Sequence, residues 1–403
     1  MRKSLFISLT LYNFRLFWIG SGISQIGNQM QVVAVSWQLY ALTHSAVSLG
    51  LVGISSFLPI LFFSLLGGLA ADRIDRKKLL IASQILMAIT AAFFTLATYY
   101  HFISPILIYI LMFFNTSFMI FSAPARQSII PNLVPKKYFI NAMSLSTLSR
   151  QSAVVIGPGI AGFMIELFGV QSVYFLNAVS FLILILTLIP LHVNPSGDTR
   201  KVAFNFKSIK EGIRFVKSEP VIYSTMVLDF FATFFSSATS LMPIFAVDVL
   251  KTGAKGLGFL YSASSVGGII AGLIISSINH IKYQGRAILL GTLIYGLATI
   301  GFGLSGSLPL TLLFLVLVGM GDMTATIVRN TARQLITPDY IRGRMTSINM
   351  IFVQGGPKLG DAEAGLLAAA IGAPGSVIVG GIGTLLSLAL IGVLFPKLRN
   401  YQG

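Results

Sequence analysis

Six ionisable side chains stand inside otherwise apolar stretches of the chain: Arg150, Asp229, Asp322, Lys358, Asp361 and Glu363. A charge in a hydrocarbon layer is costly, so such residues face partners or a wet cavity and are candidates for function. The chemistry open to them is proton transfer. A carboxylate that binds a proton in one state and releases it in another needs burial to tune it and a cation that can move away. Asp361 is the first candidate, because Lys358 lies three residues before it and can share its helical face. Asp229 comes second, and Glu363, which points to a different face, third. A permanent Lys358–Asp361 ion pair that only holds the helix is the alternative this spacing leaves open. Glu166 falls near the end of its apolar stretch.

A second constellation is polar and uncharged. Ser21, Ser24, Gln25, Asn28 and Gln31 recur mainly at three- and four-residue intervals, which makes one stripe along a helix. Gln25 and Asn28 are expected to line a water-filled cavity, with hydrogen-bonded links between helices as the alternative. Arg150 can attract an anionic substrate there. The four histidines, His44, His101, His192 and His280, fall in loops or near helix ends without metal-ligand spacing. No metal site, cofactor or convergent catalytic group is therefore expected, and the chain is not read as an enzyme. The absence of a Gly-x-x-x-x-Gly-Lys-Ser/Thr loop argues against an ATP-driven pump. The absence of cysteine excludes thiol chemistry and disulfides.

Apolar helices must position these residues. With 55% hydrophobic and only 10% charged residues and a mean hydropathy of +0.85, the chain is too apolar for a water-soluble globule. A transmembrane helix takes about 20 apolar residues, so a dozen spans need roughly 240 and fit easily within the 403-residue chain. Apolar stretches predict spans near 14–38, 47–70, 79–100, 104–123, 141–168 and 171–191, then near 221–246, 256–278, 287–305, 308–329, 346–372 and 375–395. The fold class is an all-α polytopic membrane protein. The net charge of +16 comes from 28 Lys and Arg against 12 Asp and Glu, and basic residues recur at every second gap. Arg73 to Lys78, Arg126 with Lys136 and Lys137, Arg200 to Lys217, Lys282 with Arg286, and Arg333 with Arg342 and Arg344 thus fall on one side. The positive-inside bias places that side and both termini in the cytoplasm, which also accounts for the charge without a nucleic-acid partner.

The chain divides into an N-terminal six-helix bundle over 1–191, a linker over 192–220 and a C-terminal six-helix bundle over 221–403. In the linker, Phe206, Ile209, Ile213 and Val216 repeat at helical spacing among Lys207, Lys210, Arg214 and Lys217. Such a basic amphipathic helix can lie on the cytoplasmic membrane surface. A merely solvated linker helix is the alternative. The halves also repeat. Ala125-Arg126-Gln127-Ser128-Ile129-Ile130-Pro131 returns as Ala332-Arg333-Gln334-Leu335-Ile336-Thr337-Pro338, 207 positions later. Transporters built from two parallel six-helix halves hold substrate between them and alternate access by rocking.

Gly67-Gly68-Leu69-Ala70-Ala71-Asp72-Arg73-Ile74-Asp75-Arg76-Lys77-Lys78 closely resembles the loop signature of the major facilitator superfamily, in the gap between spans two and three. Asp75 stands where many members have glycine, and this departure is similar to the branch of enterobactin exporters and macrolide efflux proteins. Asn13 to Trp18, Thr43 to Ala46 and Gly355 to Gly365 extend the resemblance along the chain. It implies two pseudo-symmetric six-helix bundles and a cytoplasmic gate formed by Gly68, Asp72, Arg73 and Arg76. Gly157-Pro158-Gly159-Ile160-Ala161-Gly162 resembles the antiporter signature, which implies a helix kink at Gly157, Pro158, Gly159 and Gly162 and is associated with export. A generic packing kink is the alternative reading of the same residues.

Together the residues and the resemblance lead to a secondary active exporter in the bacterial inner membrane, carrying a bulky amphipathic siderophore or hydrophobic drug by proton antiport. A proton-coupled importer or a lysophospholipid flippase of the same fold is the alternative. The expected partners are the small-molecule substrate, protons and the lipid bilayer, and the chain is expected to act as a monomer.

Overall fold

In the computed structural model the described residues are 6–191, 206–237, 239–278, 281–338 and 341–402, and the side chains of 65, 68, 69, 71–73, 206–210, 342–344, 346 and 347 are outside the description. The described residues are almost wholly helical and contain no strand. The first set of helices is α1 Tyr12–Thr43, α2 Ala46–Arg73, α3 Arg76–Tyr99, α4 Pro105–Ile129, α5 Phe139–Phe168 and α6 Val170–Leu188. After α7 Phe206–Ser218 comes the second set: α8 Pro220–Ser236, α9 Gly253–Ser276, α10 Gln284–Leu304, α11 Leu308–Ile336 and α12 Arg342–Leu394. Ten stretches are long and apolar enough to cross a membrane, and the last of them, Ile348–Leu394, has the length of two spans. Gly372 divides it at φ +80°, a backbone region that costs glycine nothing and other residues a clash with their own Cβ.

Helix ends follow local chemistry. Ser104 caps α4 by accepting from the Leu107 N–H at 3.3 Å, and Pro105 opens the helix where no backbone donor is needed. Asp75 caps α3 by accepting from the Lys78 N–H at 2.8 Å, with φ −52° and ψ 121°. That geometry explains an acid where the related signature has glycine: no positive φ is called for, and a capping oxygen is. His44 and His101 take positive φ in the turns after α1 and α3, whereas His192 and His280 lie outside the described residues.

Three boundaries depart from the expected map. α4 runs to Ile129 and α11 to Ile336, so Arg126 and Arg333 belong to final helical turns rather than to loops. A cation there is favoured by the helix dipole, which lets the helix outlast its apolar stretch. The expected single helix over 221–246 breaks after Ser236 into a 3-10 turn at Thr239–Leu241, a short turn Met242–Ile244 and a π-helix Phe245–Val249. Ser236, Ser237, Thr239 and Ser240 carry hydroxyls that compete for backbone groups, and Pro243 lacks an N–H. In α7, Val216 is buried beside Ile222 and Met345, whereas Ile213 stays exposed, so these two members of the expected apolar stripe part company.

The helices group into two compact units, Met1–Gln38 with Leu58–Ala203 and Leu39–Phe57 with Phe204–Gly403. Phe14, Phe17, Leu80, Leu145, Leu184 and Leu188 centre one core of the first. Leu228, Ile288, Val328 and Ile391 do so in the second. In the second unit α9 and α11 touch backbone to backbone: a Cβ on Gly267 would collide with the Val316 carbonyl, and one on Gly319 with that of Ser264. Small residues that allow such approach drive helix association where lipid offers no hydrophobic gain. Large apolar side chains left exposed, such as Leu186, Leu273 and Leu386, suit a hydrocarbon surround.

Candidate functional site

The polar stripe of α1 divides between two tasks in the first unit. Ser24 donates to Gln84 Oε1 at 3.3 Å, and Gln84 donates to Ser122 Oγ at 2.9 Å. Asn177 donates to Gln31 Oε1 at 2.6 Å. Ser24 and Gln31 are thus locked in links between helices. Ser21, Gln25 and Asn28 instead line a cavity of about 470 Å³, where Gln25 and Asn28 turn back to the carbonyls of Ser21 and Ser24 at 3.1 and 3.2 Å. Arg150, expected to attract an anion, lines this same cavity from α5, and Arg126 joins it from α4. The cavity lies at the end of the unit where α1 and α5 begin and α4 finishes.

The Gly157 to Gly162 motif packs against α1. A Cβ on Gly157 would stand 2.6 Å from that of Gln29 and 3.0 Å from the Ile26 carbonyl, and Pro158 and Gly162 are buried beside it. Gly159 shares the same turn of α5, which continues through Pro158 without interruption. At the loop signature, Gly68, Asp72 and Arg73 fall in the last turns of α2, and their side chains lie outside the described residues. Arg76 donates to the Ser128 carbonyl at 3.0 Å, and Lys77 to those of Ile189 and Leu191 at 2.8 and 2.9 Å. These cations satisfy carbonyls at the ends of α4 and α6.

The ionisable residues of the second unit gather in two places. Asp229 on α8 meets Arg329 on α11 at 2.6 Å, with both side chains nearly inaccessible. Asp322, about two turns before Arg329 on α11, lines a smaller cavity of about 200 Å³ with Thr233, Tyr295 and Thr299. Asp361 on α12 sits at the break after α8. Its Oδ1 accepts from the Ser237 and Thr239 hydroxyls and the Ser240 N–H at 3.2, 3.1 and 3.2 Å. Lys358 reaches the other oxygen only at 3.9 Å, and its side chain is 37% exposed against 9% for Asp361. The pair expected from spacing is present but loose. Gly50 and Gly53 of α2 let that helix lie close to Asp361, since a Cβ on Gly53 would stand 2.8 Å from its Cβ. Glu363 is partly buried and has no hydrogen-bond or ion-pair partner among the described residues.

Sequence reasoning missed Arg329 and Arg126. Arg329 closes the apolar stretch expected to end at 329, and Arg126 reads as one more basic loop residue. The repeat was the available signal, because it places Arg126 and Arg333 at matching points of both halves.

The comparisons fit this architecture. The family described as transmembrane secretion effector, of the major facilitator type, matches residues 3–402. The enterobactin exporter EntS of Shigella boydii serotype 18 is 28% identical over 390 residues, covering 96% of this chain and 93% of that protein. The enterobactin exporter EntS of Escherichia coli K12 is 27% identical over the same span. Among solved structures, a bacterial homolog of the human lysosomal transporter Spinster matches with a TM-score of 0.76 at 15% identity, covering 99% of both chains. The nucleoside transporter NupG matches with a TM-score of 0.70 at 15% identity, over 96% of this chain and 99% of that one. The chain belongs to the transmembrane secretion effector family and is a multi-pass membrane transporter of the major facilitator type.

Proposed function

We propose that this transporter exports a bulky amphipathic small molecule of the siderophore class from the cytoplasm by alternating access, driven by proton antiport. The observation that carries the reading is the 470 Å³ cavity in which Gln25, Asn28 and Arg150 converge. It has the size of a small-molecule site and mixes apolar walls with a few polar groups. Likeness to enterobactin exporters over nearly the whole chain supports export and the substrate class. The positive-inside bias supports cytoplasmic termini in a bacterial inner membrane and puts the end of the unit that holds the cavity on the cytoplasmic side.

Coupling is assigned to Asp361, with Asp229, Glu363 and Lys358 as the other participants. An ionised Asp361 holds the break after α8 through three donors. Protonation weakens that grip, and the loose, accessible Lys358 supplies the cation that can move away. Gly68, Asp72, Arg73 and Arg76 form the cytoplasmic gate, and the Gly157–Gly162 packing seals the opposite end. The working unit is a monomer of two halves, 1–191 and 221–403, joined by 192–220. Accumulation of enterobactin in energised everted vesicles tests the reading: uptake abolished by collapse of the pH gradient supports it, and uptake indifferent to collapse contradicts proton coupling.

A further inference from the structure

We propose that the cavity of the first unit is an anion site in which Arg126 anchors a deprotonated acidic group of the cargo. The inference rests on the export reading and names the chemical class it selects.

A guanidinium carries five N–H donors in a fixed fork. Among the described residues that of Arg126 makes a single hydrogen bond, Nη1 to the Ser21 carbonyl at 3.4 Å, and no ion pair. Two hydroxyls in the same lining are also unmatched. Ser21, 5% exposed, and Ser146 both have buried Oγ atoms without a partner. Buried polar atoms are ordinarily paired. The unused donors of Arg126 therefore call for acceptor oxygens from whatever fills the cavity, beside which the Ser21 and Ser146 hydroxyls sit buried and unpaired. Among the described residues the lining contains no Asp or Glu, and Arg150 adds a second, exposed cation. Charge left unneutralised in a medium of low dielectric attracts an anion far more strongly than at a water-facing surface. Trp18 supplies an apolar wall and is itself satisfied, its Nε1 donating to the Leu145 carbonyl at 2.9 Å. The complementary ligand is a small amphipathic molecule with an aromatic body and a carboxylate or comparably acidic oxygen. Arg126 selects the charge and the wall accepts the ring.

Two probes of nearly equal shape, 2-naphthoate and neutral 2-naphthamide, separate charge from shape. Calorimetric titration of the full chain in detergent, corrected for empty micelles, is expected to show the acid binding at least about tenfold more tightly than the amide, as a charge-assisted hydrogen bond provides. Arg126→Gln is expected to abolish the preference by weakening binding of the acid far more than of the amide, Arg126→Lys to keep part of it, and Arg150→Gln to weaken it less, since Arg150 is exposed. Equal binding of acid and amide by the native chain, or of neither, overturns the proposal, as does an Arg126→Gln protein that keeps the preference. Where Arg126→Gln is not monodisperse, Arg126→Lys carries the test, and a preference equal to that of the native chain overturns the proposal. Vesicle export that fails while the acid preference persists removes the export reading and keeps the anion site. Export of enterobactin without any acid preference does the reverse.

Discussion

Arg329 and Asp229 meet at 2.6 Å across α11 and α8, both nearly inaccessible. Removing one partner strands the other's charge, which in a buried pair costs about 3–5 kcal/mol. Arg329→Gln should therefore lower thermal stability in detergent sharply, and the double change Arg329→Gln with Asp229→Asn should recover much of the loss. A single variant as stable as the parent would mean that the pair does not hold the two helices.

The cap on α3 gives a graded expectation. Asp75→Ala removes the oxygen that accepts from the Lys78 N–H and should cost about 1 kcal/mol, whereas glycine at a cap costs only a few tenths. Asp75→Gly should thus unfold closer to the native temperature than Asp75→Ala. The reverse order in differential scanning fluorimetry would show that Asp75 acts through something other than capping.

Gly319 tolerates no side chain, because a Cβ there collides with the Ser264 carbonyl of α9. Gly319→Val should separate α9 from α11 and reduce the monodisperse yield, with overpacking of roughly 1–3 kcal/mol or more. Gly272, on α9 with open space around it, is the control: Gly272→Ala should purify like the native chain. Equal behaviour of the two variants on size exclusion would refute the close packing.

Gly372 offers a conformational test. At φ +80° any side chain brings a steric penalty of about 1–2 kcal/mol. Gly372→Ala should lower the unfolding temperature, and Gly375→Ala, three residues on without a positive φ, should do so less.

The helices were legible because long apolar runs punctuated by basic gaps have few interpretations, and α2, α3, α6 and α9 start or stop within a few residues of expectation. Arg126 and Arg333 were not, since a basic residue beside an apolar run reads as a loop anchor until the helix is seen to continue past it. The break after Ser236 was hidden because Ser and Thr within an apolar run leave hydropathy high while diverting backbone hydrogen bonds. The stripe of α1 was visible as a stripe, but which members face the cavity and which face Gln84 and Asn177 depends on neighbours that spacing along one helix does not reveal. Lys358 and Asp361 were found together, yet the three donors that hold Asp361 come from residues more than a hundred positions earlier.

Proton-coupled export is tested most directly by comparing native and Asp361→Asn transporters in everted vesicles loaded through an imposed pH gradient. The native chain should concentrate enterobactin and lose that accumulation when the gradient collapses. The variant should still exchange internal for external enterobactin but fail to concentrate it at any gradient. An Asp361→Asn transporter that concentrates enterobactin as the native one does, with the same dependence on the gradient, would contradict the account.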